Sequence, residues 1–333
     1  MSAAAVVRRD HLGRWWSIDD ASHVVEGFAW EDGALRRLCR HGLPFRFEAR
    51  DLTGDERRVF VGGCFRYRED QPEDYGPSLL ACPIDGAAAW QRLDVFCPPF
   101  LRGDKAFDGV VVVGNELIGV DDVVRPKFID RYDLSQDPPV RCGAVEMPPV
   151  SNERTEHGVA VNGEWLAVRA RSSFDSGVRR SITLYRLPDL RPTARFRETR
   201  LWSAKDPAWM EMARAFRCYG VAFVGAVLVI ACGAEGLALI NCSDIKALPP
   251  KTGAVEDGPW DLAVRKLAEE KQGFAMIHQL VELDARARWL GCAEGRRCVD
   301  VVAVPSREGV VVVEEHGDAR TARWVAIAAS AGP

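Results

Sequence analysis

No two of the ten cysteines form a Cys-x-x-Cys pair, which removes the ligand spacing of a zinc ribbon and the dithiol of a thioredoxin-like centre. No apolar run approaches the roughly 20 residues needed to cross a bilayer. The longest, Val221 to Cys232, is broken by Gly225, so no membrane association is expected. Neither sign of charge dominates. The 44 Lys and Arg against 48 Asp and Glu give a net charge of -4, too little to draw the chain to nucleic acid. The sequence contains no Gly-x-x-x-x-Gly-Lys-Ser/Thr loop, no strand-linked Gly-x-Gly-x-x-Gly and no Gly-x-Ser-x-Gly elbow. Phosphate cradles and an activated serine are thereby excluded, no cofactor is expected, and no residue is assigned a catalytic role. The opening MSAAAVVRRDHLGRWW offers too short an apolar run before Arg8 for a secretory leader. A cytoplasmic location is therefore expected, with cysteines such as Cys232 and Cys242 acting as small reduced core residues.

What is present is a repeat. The segments FDGVVVVGNELIGVDD (107–122), EHGVAVNGEWLAVRAR (156–171) and CYGVAFVGAVLVIACG (218–233) each read Gly-Val, a short alternating run, a second glycine and then a leucine. The second glycines, Gly114, Gly163 and Gly225, stand where a tight hairpin needs positive φ, so each segment is predicted to be two antiparallel strands. Third strands follow at KFIDRYDLS, RSITLYRLP and GLALINCSD, and fourth strands at PVRCGAVEMP and TARFRETRL. Four short strands and a restart make one propeller blade. Leu117, Leu166 and Leu228 lie 49 and 62 residues apart, a blade period with an insertion in the second interval.

Weaker copies at 57–85 and 288–305 extend the array, and CAEG in the latter echoes CGAEG at 232–236. About 23 candidate strands at four per blade predict an all-β chain, a single β-propeller domain over 1–333 with about six blades, five or seven being allowed. N-terminal and C-terminal strands are expected to share a closing blade, which would remove open sheet edges. Two insertions read as short amphipathic helices near 206–217 and 259–272. The first opens at Asp206-Pro207 and the second at Pro259, and Gly273 closes the second.

Residues 219–244, YGVAFVGAVLVIACGAEGLALINCSD, resemble the LVIVD-type propeller repeat, with fainter likeness at 108–135 and 157–188. The resemblance implies a propeller and assigns no activity. VVEGFAWEDGALRRL (24–38) is also similar in passing to the Glu-Gly-x-x-Trp start of calcium-dependent lactonase-type propellers. That likeness implies a ligand role for Glu26, but the later Asn and Asp ligands of that family have no clear counterpart here.

Propeller topology gathers the loops before the innermost strands around one axial mouth. Asp108, His157 and Tyr219 precede Gly-Val in three blades and are expected to line it, ringed by Asp121, Asp122, Arg169 and Arg171. Trp15, Trp16, Trp209 and Trp260 are candidates for a partner surface. Two functions are compatible with these residues. One is a non-enzymatic scaffold or accessory subunit that binds a protein partner. The other is a metal-assisted hydrolase or small-ligand-binding protein whose site is the axial mouth.

Overall fold

The computed structural model describes residues 6–19, 22–32, 34–66, 76–95, 107–121, 128–147, 153–174, 177–197, 220–243, 245, 279–282, 287–304, 308–317 and 319–327. These form 24 strands in six sheets, arranged as the six blades of a β-propeller. Blade 1 holds β1 (Val6–Arg9), β2 (Trp15–Asp19), β3 (Val24–Glu31) and β4 (Ala34–Gly42). Blade 2 holds β5 (Phe47–Gly54), β6 (Arg58–Phe65), β7 (Gly76–Pro83) and β8 (Gln91–Arg92). Blade 3 holds β9 (Phe107–Val113), β10 (Glu116–Asp121), β11 (Phe128–Asp133) and β12 (Val140–Glu146). Blade 4 begins with β13 (Glu153–Val161), β14 (Trp165–Phe174), β15 (Gly177–Arg186) and β16 (Arg191–Arg197). Blade 5 has β17 (Val221–Val224), β18 (Val227–Ala231) and β19 (Leu237–Asn241). After the second insertion, β20 (Gln279–Glu282) adds a parallel fifth strand to the outer edge of blade 4, and β21 (Arg288–Leu290) returns as the fourth strand of blade 5. Blade 6 is β22 (Arg297–Val304), β23 (Gly309–His316) and β24 (Ala319–Ala326). The described residues contain no helix, and both predicted helices, with Trp209 and Trp260, lie outside them.

The glycine repeat has two separate physical causes. Gly114, Gly163 and Gly225 adopt φ of 58°, 80° and 57°, so the hairpin turns are the left-handed ones the sequence predicts. Gly109 and Gly220 answer instead to close approach. A Cβ on Gly109 would lie 2.5 Å from Cγ1 of Val159 on the next inner strand, and one on Gly220 would lie 2.0 Å from the backbone nitrogen of Val301. The first glycine of the repeat thus lets neighbouring blades meet near the axis.

The core is divided among the junctions between blades. Trp16, Ile18 and Val25 of blade 1 pack on Leu52, Val59 and Leu80 of blade 2. Phe60 and Leu79 meet Phe107 and Val112, Ile118 and Ile129 meet Leu166 and Tyr185, and Leu184 and Phe196 meet Leu228 and Ile240. Val229 and Leu239 meet Val301 and Val312. These five clusters join blades 1 to 6 in order. Among the described residues no such cluster spans blade 6 and blade 1, although β1 and β22 touch at the axis and complete the ring.

The expected sharing of a closing blade would involve residues 1–5 and 328–333, which lie outside the described residues. Among the described residues blade 1 is built from 6–42 and blade 6 from 297–326, and β24 is the last strand of a three-stranded sheet. Between the described strands of the two ends the bridge is polar, as described below.

Because the obstacle at Gly220 is backbone, Gly220→Ala should lower stability by about 3 kcal/mol or more. Gly143→Ala, where nothing lies within 4 Å of the added carbon, should change it by less than about 0.5 kcal/mol. Urea unfolding of the two variants provides the comparison, and equal midpoints would refute the close-approach reading.

Candidate functional site

The inner strands bring a compact ionic group to the axis. Nε of Arg8, on β1, donates to Oδ1 of Asp51 on β5 at 2.6 Å, and Nη1 donates to Oδ2 of Asp300 on β22 at 2.6 Å. One guanidinium therefore ties blade 1 to blade 2 and to blade 6. The second oxygen of Asp51 accepts the backbone N–H of Val110 on β9 at 3.0 Å, which brings in blade 3. Oδ1 of Asp300 accepts the N–H of Val301 at 2.8 Å.

Local irregularities place these groups. The pairing of β5 with β6 shifts between Ala49 and Asp51, and that of β22 with β23 shifts between Cys298 and Asp300. An extra residue in a strand re-aims the side chain beside it, and here it turns the carboxylates towards Arg8. Burial opposes the charge on Arg8, but Asp300 and Asp51 outweigh it and hold the guanidinium firmly protonated. Burial also pushes the Asp51 carboxyl above the usual carboxylate range, and Arg8 offsets that only in part.

The residues expected at the mouth fall in several settings. Asp108 and Arg169 are described and both are buried, 3% and 1% exposed. His157 lies within β13 where its pairing with β14 is irregular, Asp121 ends β10, and Arg171 pairs with Arg154. Tyr219 and Asp122 lie outside the described residues. Glu26 is not axial: it sits on the third strand of blade 1, facing Arg37 at 3.3 Å and Arg40 at 3.6 Å.

The tryptophan pair separates. Trp16 is fully buried, its Nε1 donating to Asp10 at 2.8 Å and its ring lying under Gly27 and Gly54, so it is core rather than partner surface. Trp15 faces the other way. It pairs with Phe28, which pairs with Arg37, and two residues on Trp30 pairs with Leu35. Cross-strand partners share a face, so Trp15, Phe28, Trp30 and Leu35 line the side of blade 1 opposite its core with blade 2. By ring order that is the side of blade 6. Blade 6 answers in kind, with Val311 and Val313 of β23, and Trp324 of β24 paired with Val311. Trp30 is 64% exposed, Leu35 54% and Trp324 41%. The last junction is thus pinned at the axis by ions, and blades 1 and 6 each carry exposed aromatic or aliphatic side chains on the face away from their apolar cores. Sequence reasoning did not find this exposed apolar face, although alternation along VVEGFAWE carries its signal: Val25 and Gly27 face one side, Phe28 and Trp30 the other.

The turns on one end of the disc are chained as well. Asp10 accepts the N–H groups of Leu12 and Arg14 at the β1–β2 turn, and Asp55 accepts those of Arg57 and Arg58 at the next. Arg14 donates to the carbonyl of Asp55, and Arg58 to those of Leu134 and Gln136 in blade 3. Blades 1 to 3 are therefore locked together at that end as well as in their cores.

No family model matches the chain, and no curated protein sequence matches it. Among solved structures it is similar to the β-propeller domain of Cps50 (Swd1) from Myceliophteria thermophila, with 11% identity, 96% of this chain and 83% of that one covered, and a TM-score of 0.50. It is also similar to hydrazine synthase of Kuenenia stuttgartiensis, with 10% identity, 99% and 97% covered and a TM-score of 0.48. The propeller domain of the Trilobed protease from Pyrococcus furiosus matches at 10% identity, 96% and 80% covered, with a TM-score of 0.40. The first of these supports the propeller fold.

Replacing Arg8 leaves two buried carboxylates facing each other without a counter-ion, which costs about 3–5 kcal/mol. A carboxyl whose folded value lies above its unfolded one loses stability as pH rises from the unfolded value through the folded one. Arg8→Met should therefore lower Tm more at pH 8 than at pH 5. Thermal unfolding of wild type and variant at both values measures this, and a pH-independent difference would show that Asp51 and Asp300 do not depend on Arg8.

Proposed function

We propose that this protein is a non-enzymatic propeller scaffold that binds a protein partner in the cleft between its first and last blades. The observation that carries the reading is the exposed apolar lining of that cleft, Trp30 and Leu35 on one wall and Trp324 on the other. Single exposed apolar residues are ordinary, but paired aromatic and aliphatic groups on facing walls resemble the anchors that dominate protein interfaces. Arginines stand beside them: Arg36 with Glu31 and Asp32, and Arg37 with Glu26. A partner segment with two or three apolar anchors and mixed charge at its rim fits this lining. β24, the last of the described strands in blade 6, offers the same segment an edge to pair with.

The axial position supports the same reading. A metal-assisted hydrolase needs carboxylates available to an ion. Asp51 and Asp300 are instead committed to Arg8. We also read the blades as LVIVD-type units, on the glycine pattern of residues 219–244, and place the protein in the cytoplasm as an accessory subunit of a larger assembly.

Trp30→Ala combined with Leu35→Ala should leave Tm within about 3 °C of wild type, since both side chains are more than half exposed. The pair should abolish retention of proteins that co-purify with the tagged wild-type chain from its native host. Unchanged retention by the double variant would overturn the cleft as the binding surface. Retention lost by Trp16→Ala, with Tm lowered as expected for a core residue, would not count in its favour.

A further inference from the structure

Cys292 lies in the link between β21 and β22, where the chain passes from blade 5 to blade 6, and Cys298 stands on β22 itself. Their sulfur atoms are 2.8 Å apart, well inside the usual contact distance of two thiols. A disulfide bond of about 2.05 Å needs less than about 1 Å of further approach. The surroundings fix both residues. Cys298 exchanges backbone hydrogen bonds with Gly233 of blade 5, 3.1 Å and 2.9 Å long, and the Cys292 thiol lies 3.5 Å from the Gly233 carbonyl oxygen. The two glycine turns that echo one another in sequence, CGAEG and CAEG, are therefore packed together here, and a Cβ on Gly236 would lie 2.8 Å from the nitrogen of Cys292.

We propose that Cys292 and Cys298 form a reversible redox site, with Cys292 as the attacking thiol and Cys298 as the resolving one. Cys292 is partly exposed, whereas Cys298 is fully buried, so a small disulfide reaches only the former. The Cys292 thiolate attacks one sulfur of a small disulfide such as oxidised glutathione, releasing one glutathione thiolate and forming a mixed disulfide. The Cys298 sulfur, losing its proton to solvent, then attacks Sγ of Cys292 and displaces the second glutathione thiolate. The protein dithiol has lost two electrons and two protons, and the reagent has become two molecules of glutathione. A hydrogen bond with Cys298 draws the Cys292 thiol below its usual range, against burial and Glu314.

Glu314 completes a group of three potential metal ligands with the two sulfurs, all within 4.8 Å of one another. A metal is the less suitable occupant. The Glu314 carboxylate already accepts from Arg323 at 2.7 Å and Arg296 at 3.0 Å, and two guanidinium cations beside it oppose a third cation. Cys39 and Cys82 provide an internal contrast in the core of blades 1 and 2. Burial raises both thiols, that of Cys82 to about 11, which keeps them protonated and slow to react.

The full chain, incubated with glutathione buffers of increasing oxidised fraction, alkylated and mapped by peptide mass, tests the site. The expected product is a Cys292–Cys298 linked peptide lighter by two hydrogens, with Cys39 and Cys82 still alkylated after denaturation. Its formation should raise Tm by roughly 2–5 °C. Cys298→Ala, which keeps a small apolar group in the core, should instead accumulate glutathione on Cys292, and Cys292→Ser should form neither product. Three results would each overturn the proposal: both thiols alkylated in every buffer, a glutathione adduct persisting on Cys292 of the wild type, or a zinc ion retained by the wild type and lost in Glu314→Gln.

Discussion

Arg8 carries one positive charge and meets two carboxylates, from a strand 43 residues away and another 292 residues away. A propeller must join its last blade to its first, and that junction cannot be assembled from neighbouring segments of chain. Five junctions here are apolar, and apolar contact is strong but indifferent to register. An ion pair with bonds of 2.6 Å is directional, so it selects one arrangement of blades 1, 2 and 6 and penalises the others through an uncompensated buried charge. The net stabilisation from such a pair is small next to the hydrophobic cores. Its contribution is to specify how the ring closes.

That manner of closing leaves a mark on the surface. When terminal strands share a blade, the sheet itself carries the closure and both faces of that blade are packed. Among the described residues blade 6 has three strands, β1 and β22 touch near the axis, and Trp30, Leu35 and Trp324 on the two sheets are in contact with water. Burying three large apolar side chains gains about 1.5–3 kcal/mol each. In the described chain this gain is unrealised, and the proposed partner would supply it. Elsewhere the disc is braced, since the turns of blades 1 to 3 are tied by Arg14 and Arg58 across successive blades.

The propeller was legible because its two kinds of glycine recur in register. Gly114, Gly163 and Gly225 mark turns, and Gly109 and Gly220 mark places where inner strands nearly touch, so one short pattern encodes both the hairpin and the contact between blades. The blade count followed from about 23 candidate strands at four per blade, and the insertion between blades 4 and 5 from the spacing of Leu117, Leu166 and Leu228. The axial group was not legible, because VVRRD offers two arginines and nothing local distinguishes Arg8 from Arg9. Only the closed ring brings Asp51 and Asp300 to the first. The excursion of β20 to the edge of blade 4 was hidden for a related reason: QLVE has no feature that names its pairing partner. Trp15 and Trp16 show the finer limit. Adjacent residues on a strand must face opposite ways, so one of the two had to be core, but which one depends on the side from which blade 2 approaches.

The same geometry explains why the cysteines fall into different chemical classes although composition treats them alike. Cys39 and Cys82 sit in a continuous apolar core that disfavours the thiolate, so burial makes them inert filling. Cys298 occupies a comparable position in the core of blades 5 and 6, but the link that starts blade 6 doubles back over it and sets Cys292 against its sulfur. The link takes that path because Gly236 leaves room for the backbone of Leu290 and Cys292 to cross it. A repeat that uses glycine to let backbones meet has, at its last copy, also brought two sulfurs within reach of each other. Reactivity at this junction is thus a product of chain crossing rather than of any local cysteine motif, which is why the absence of Cys-x-x-Cys said nothing against it.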